Sequence, residues 1–151
     1  MLMDVPVKLF DRDVEKVKVG AGAFCFFPKE NLDDAQIGYL YEKDKTESKR
    51  WVGKEYLVIG KNSVKSEPII AKLDEPLLPI YTLINNEMDS LEKVSHSFEE
   101  YKEVLNMIDN TDLYRRDKIS NLLDELKGKV PKESMYYWEN VVLSAYDYYA
   151  D

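Results

Sequence analysis

Apolar and polar positions change rhythm near Ser97. Before it the apolar residues fall in short runs. Val17 and Val19 alternate about Lys18, and Ala23 to Phe27 forms a mostly apolar run ended by Pro28. With Gly20-Ala21-Gly22 as a loose connection, this pattern predicts two strands. Ile37 to Tyr41, Glu55 to Ile59, Pro68 to Leu73, Pro79 to Leu83 and Leu91 to Val94 read as further strands, with Gly60 ending the Glu55 run. A proline as first residue of a strand removes no central ladder bond, which suits Pro68 and Pro79. The spacing leaves no room for crossover helices, so the sheet is expected to be mainly antiparallel. Residues 29 to 36 are polar, with Asn31 placed to cap one short helical turn, and Glu42 to Arg50 reads as an exposed charged connection.

After Ser97 the spacing becomes helical. Ser97-Phe98-Glu99-Glu100 matches a capping box, in which the Ser hydroxyl accepts from the third helical N–H and the Glu reaches back. Phe98, Tyr101, Leu105 and Ile108 then mark one face. Asp112 is placed to cap a second helix with the stripe Ile119, Leu122, Leu123 and Leu126, and Gly128 to stop it. A third helix begins near Pro131 and carries Tyr137, Trp138, Val141, Val142 and Ala145 on one side. The expected fold is α+β: a mainly antiparallel twisted sheet packed against helices, with helices at the C-terminal end. A length of 151 residues without repeats or low-complexity tracts fits a single domain spanning 1–151.

Charge narrows the choice of ligand. Lys and Arg number 21 against 29 Asp and Glu, a net charge of −8, so phosphate backbones are repelled and direct nucleic-acid binding is not expected. The same charge favours solubility and speeds encounter with a basic partner. One cysteine and one histidine allow neither an internal disulfide nor the usual zinc sites, so no metal is expected. Cys25, in Phe24-Cys25-Phe26-Phe27, reads as a small buried hydrophobe. His96 stands beside the helix cap, outside any nucleophile motif. Gly20-Ala21-Gly22 opens like a dinucleotide fingerprint, but Cys25 stands where its last glycine belongs and a strand follows.

Asp33, Asp34, Glu87 and Asp89 have no spacing that separates an acid–base pair from solvated loop charge. Neither a cofactor nor catalysis is therefore expected. Met1-Leu2-Met3-Asp4-Val5-Pro6 lacks the basic and apolar regions of a leader, and no apolar run approaches the ~20 residues of a membrane span, so the expectation is a cytoplasmic protein without membrane contact. Five of the 11 tyrosines, Tyr136, Tyr137, Tyr146, Tyr148 and Tyr149, gather near Trp138, fitting either a helix-to-helix core or a partner surface.

The order of several motifs resembles the SUKH superfamily. Those motifs are Leu32-Asp33-Asp34-Ala35-Gln36-Ile37-Gly38-Tyr39, then Trp51, Glu55-Tyr56-Leu57-Val58-Ile59-Gly60, Glu67-Pro68-Ile69-Ile70, Leu78-Pro79-Ile80-Tyr81-Thr82 and Ser97-Phe98-Glu99-Glu100-Tyr101. They span somewhat over half the chain, with Glu67 where the family carries Asp, and residues 112–151 lie outside them. The superfamily includes yeast cell-wall synthesis regulators and bacterial proteins thought to act as immunity proteins against secreted toxins. In the motifs, Gln36 belongs to the Q-x-GY element, Gly38 and Gly60 serve backbone conformation or close packing, Pro68 and Pro79 open strands, and Trp51, Tyr56 and Tyr81 pack on the sheet. The resemblance implies a non-enzymatic protein-binding module that occludes a toxin's active site, with a basic nuclease toxin suiting the acidic charge. The alternative it implies is a regulatory or scaffolding protein that binds a cellular enzyme, as in cell-wall synthesis. Asp33, Asp34, Glu87, Asp89, Tyr148 and Tyr149 are the candidate partner contacts.

Overall fold

In the computed structural model, which describes residues 5–11 and 15–150, the strands follow one another as an antiparallel meander. They are β1 (Lys16–Val19), β2 (Gly22–Phe26), β3 (Tyr56–Asn62), β4 (Glu67–Lys72), β5 (Ile80–Leu83) and β6 (Leu91–Ser95). The helices are α1 (Leu32–Ala35), α2 (Phe98–Asp109), α3 (Arg116–Lys127) and α4 (Met135–Ala150). This is an α+β fold, with strands before Ser97 and the longer helices after it. Met1 to Asp4, part of the stretch read for a leader, lie outside the described residues.

Successive strand side chains point to opposite faces, so the two faces have separate cores. Val17, Val19, Phe24, Phe26, Leu57, Ile59, Ile69, Ala71, Ile80 and Val94 share one core with the buried faces of α2, α3 and α4. Phe24 stacks on Trp138 with centroids 6.1 Å apart, and Phe26 meets Phe98 edge-on at 5.9 Å. The Trp138 indole N–H donates to the Val94 carbonyl at 3.0 Å, so a fully buried polar group is satisfied by the last strand. On the other face, Val58, Ile70 and Leu83 pack with Leu40 and Trp51, so part of the 36–56 segment covers it.

Several expectations need correction. Ile37 to Tyr41 is a turn, not a strand. The connection between β1 and β2 is tight, because Val19 pairs directly with Gly22. β3 does not end at Gly60 but runs on to Asn62, with its register against β4 shifting between Val58 and Gly60. Pro68 is the second residue of β4, and Pro79 comes just before β5. Asn31 sits at the start of α1 without a side-chain cap bond.

Asp112 does not cap α3. The helix starts after Arg115, whose N–H reaches the Asp112 carbonyl at 3.0 Å in a preceding turn. Cys25 is half-buried, because Phe24 and Phe26 on either side take the helix-covered face. The Ser97 cap is present, its hydroxyl accepting from the Glu100 N–H at 3.0 Å. Glu100 reaches one residue further back than the motif prescribes, to the His96 N–H at 2.6 Å.

Gly60 is required by close approach. A Cβ there would stand 2.3 Å from the Cys25 carbonyl oxygen, inside the β2–β3 ladder. Gly60→Ala is therefore expected to force these strands apart and cost about 3 kcal/mol, read as a lowered urea midpoint. A loss below about 1 kcal/mol would show that the ladder yields there.

Candidate functional site

Strand β2 ends at Phe26, while β3 continues past it. Phe27 still donates to the Ile59 carbonyl at 2.9 Å, but the following Pro28 has no N–H to offer. The next backbone groups on β3, those of Val58, meet the side chain of Gln36. Its Oε1 accepts from the Val58 N–H at 3.0 Å, and its Nε2 donates to the Val58 carbonyl at 2.7 Å and to the Leu32 carbonyl at 2.9 Å. A side-chain amide carries the donor and acceptor of a peptide unit, so a fully buried glutamine continues the ladder where the backbone turns away.

The backbone of Gln36 starts the turn that replaces the expected strand. Its carbonyl accepts from Tyr39 at 2.9 Å and Tyr41 at 3.0 Å, and Gly38 donates to the Tyr41 carbonyl at 2.7 Å. Gly38 has φ of 92°, a conformation that favours glycine. Tyr39 leans on Trp51, ring centroids 5.8 Å apart, while the Trp51 indole donates to the Tyr56 carbonyl at 3.1 Å. The Tyr39 hydroxyl donates to Asn86 Oδ1 at 2.9 Å, which ties this turn to the β5–β6 connection. Burial holds the Tyr39 phenol above its ordinary value, and the bond to Asn86 opposes that only in part.

This turn separates two pairs of carboxylates. Asp33 and Asp34, exposed on α1, line a recess with Ile37, Tyr41 and Lys45. Glu87 and Asp89 line a larger open recess with Gly38, Arg50, Asn86 and Met88. Ile37 and Gly38 are adjacent, so the recesses meet along the turn. Among the described residues, none of the four carboxylates makes a side-chain hydrogen bond or ion pair. The neighbouring Lys45, Arg50 and Asn86 were not anticipated, because they come from connections whose placement depends on the Gln36 turn.

Tyr148 and Tyr149 are not part of this group. They lie on α4, on the helix side of the sheet, 53% and 46% exposed, with ring centroids 5.2 Å apart. Tyr148 borders a shallow recess with Val19, Gly22, Val64 and Asp147. The other tyrosines divide between roles. Tyr101 and Tyr137 are buried, and Tyr114 and Tyr136 are exposed. Tyr56 and Tyr81 meet edge-on at 5.3 Å on the second face, where burial raises the Tyr81 phenol. His96 is exposed beside the α2 cap, and among the described residues no group of three or more His, Cys, Asp or Glu side chains is placed to hold a metal ion.

Comparison with protein-family models, curated proteins and solved structures finds no match for this chain. The α+β meander and the site around Gln36 therefore stand on their own geometry. Among the described residues, no helix is long and apolar enough to cross a membrane.

Gln36→Ala would leave the Val58 N–H and carbonyl without the partner they have now, and is expected to cost about 3 kcal/mol in urea denaturation. Gln36→Glu should be no better, since a carboxylate accepts from Val58 but faces two carbonyls it cannot donate to. A loss under about 1 kcal/mol for both variants would show that water replaces the amide without penalty.

Proposed function

We propose that this chain is a non-enzymatic protein-binding module, most concretely an immunity protein that neutralises a basic toxin by covering its active site. The observation that carries the reading is the pair of carboxylate groups, Asp33 with Asp34 and Glu87 with Asp89, on either side of one fixed turn. Exposed carboxylates without internal partners present negative charge to an incoming cation with no bond to break first. Against a nuclease toxin they would stand where substrate phosphates stand. The SUKH-like motif order supports a partner of this class, since it is a resemblance to proteins thought to bind toxins. Tyr148 and Tyr149 supply a separate, aromatic contact surface on the helix side. On this reading the protein works in the cytoplasm, where a nuclease toxin meets its substrate.

Co-expression with the product of an adjacent toxin gene tests the reading directly. Growth is expected to be restored, and the two proteins to copurify. Replacing all four carboxylates (Asp33→Asn, Asp34→Asn, Glu87→Gln, Asp89→Asn) should slow association about tenfold at low salt. The thermal midpoint should barely move, because these side chains hold nothing inside the fold. Failure of the unaltered protein to restore growth would overturn the proposal.

A further inference from the structure

Behind the connection that carries Glu87 and Asp89 lies a carboxylate hidden from the surface. Glu67, the first residue of β4, is only 4% exposed. Its Oε2 accepts the Asn85 N–H at 2.7 Å, while its Oε1 is buried with no hydrogen-bond partner among the described residues. A buried carboxylate is costly to fold around, so a role that offsets this must lie in what it holds.

The segment it holds supplies that role. Asn85 and Asn86 have φ of 56° and 59°, two consecutive residues in the left-handed region. Closed by the Glu87 N–H on the Ile84 carbonyl at 3.1 Å, they form a two-residue turn of the type I′ kind, which asparagine accepts but which does not by itself fix where the turn sits against the sheet. Glu67 grips the N–H of the first asparagine, and the Tyr39 hydroxyl grips the side chain of the second. Glu87 follows immediately.

We propose that Glu67 is a positioning residue: its buried carboxylate clamps the Asn85–Asn86 turn and so sets Glu87 and Asp89 in the geometry they present to a basic partner. The clamp rests on the structure alone, and its service to a partner rests on the function proposed above. The groups that act on Glu67 come from every side. The Asn85 N–H and Lys65, in the β3–β4 connection, favour its charge; Glu92 of β6 opposes it, and the buried Tyr137 hydroxyl of α4 feels it. Glu133 acts in turn on Glu92. Burial is the largest influence and lifts the Glu67 carboxyl above its ordinary 4.5. The folded chain therefore holds this proton more tightly than the unfolded chain does. That stabilising contribution is complete below 4.5 and is lost as pH rises through the lifted value.

Amide NMR of the wild type and Glu67→Gln separates a clamp from a simple structural part. The substitution keeps the size of the side chain and a neutral acceptor but removes the charge. At neutral pH the Asn85 amide proton is expected to shift upfield and exchange with solvent several-fold faster. The Glu87 amide should lose order, while the thermal midpoint holds or rises. In the wild type the Asn85 amide should titrate with a midpoint above 4.5, and in the variant it should not. Glu92→Gln, which leaves the Asn85 bond in place, should lower that midpoint without speeding exchange.

Unchanged Asn85 shift and exchange in Glu67→Gln would overturn the clamp. So would a fall of several degrees in thermal midpoint with faster exchange throughout the sheet. None of these measurements needs a partner. A decalysine peptide then probes the service to a basic partner: several-fold weaker binding to Glu67→Gln than to wild type supports it. Equal binding to both overturns that half. No binding to the wild type overturns the acidic-surface reading and leaves the clamp standing.

Discussion

The amide of Gln36 on the backbone of Val58 is the bond on which the second face of this sheet depends. Without it, β3 would present a buried N–H and carbonyl beyond the end of β2, and the chain after α1 would have no fixed direction. With it, a connection that contains no strand of the sheet becomes an ordered cover. Gly38 can then turn, Leu40 and Trp51 can close over Val58, Ile70 and Leu83, and Tyr39 can reach Asn86. The surface carboxylates owe their placement to this sequence of contacts, although none of them takes part in it.

The two faces of the sheet divide stability from presentation. On the helix side, broad apolar burial is reinforced by packed rings around Trp138 and by one well-placed indole bond. Such a core tolerates little change in volume, and what the helix side offers to a partner, Tyr148 and Tyr149, stands outside it. On the other side the core is small, and order comes from individual hydrogen bonds made by the glutamine, an indole and a phenol. Polar contacts of this kind fix geometry at a higher energetic risk, since each half-satisfied group opposes folding. A surface that must keep its loops in one arrangement needs that kind of order, and Glu67, in step with Ile69 and Ala71 on the helix-covered face, adds to it from the end of the sheet.

The fold was legible where periodicity and caps act locally. Apart from the long β2–β3 connection, the meander follows from short apolar runs with short connections, and α2 follows from Ser97 and the spacing of Phe98, Tyr101, Leu105 and Ile108. Long-range substitution was not legible. Ile37 to Tyr41 has the composition of a strand, but a glutamine side chain from the residue before it fills the ladder position such a strand would need. Gly60 reads as a terminator because glycine usually punctuates; here it permits the backbone of β2 to approach. At the site, the four carboxylates could be nominated from charge, but their arrangement about one turn depends on pairings far apart in the chain. Glu67 carried a signal, an acid leading the apolar run Pro68 to Ala71, that strand patterning alone assigns to a solvent-facing start.

The stacking of Phe24 on Trp138 also bears on the order of events during synthesis. Four of the five strand pairings join residues close in sequence, and β2 meets β3 across residues 27–55, so the whole sheet can form before α2 emerges. The aromatic surface of β2, however, is sealed only by α4, near the other end of the described chain. At roughly 5–20 residues per second of elongation, Phe24 waits several seconds for Trp138, after α2 has already met Phe26. During this interval the nascent chain bears an apolar sheet face that is open to chaperones and to neighbouring chains, and closure of α4 ends that exposure.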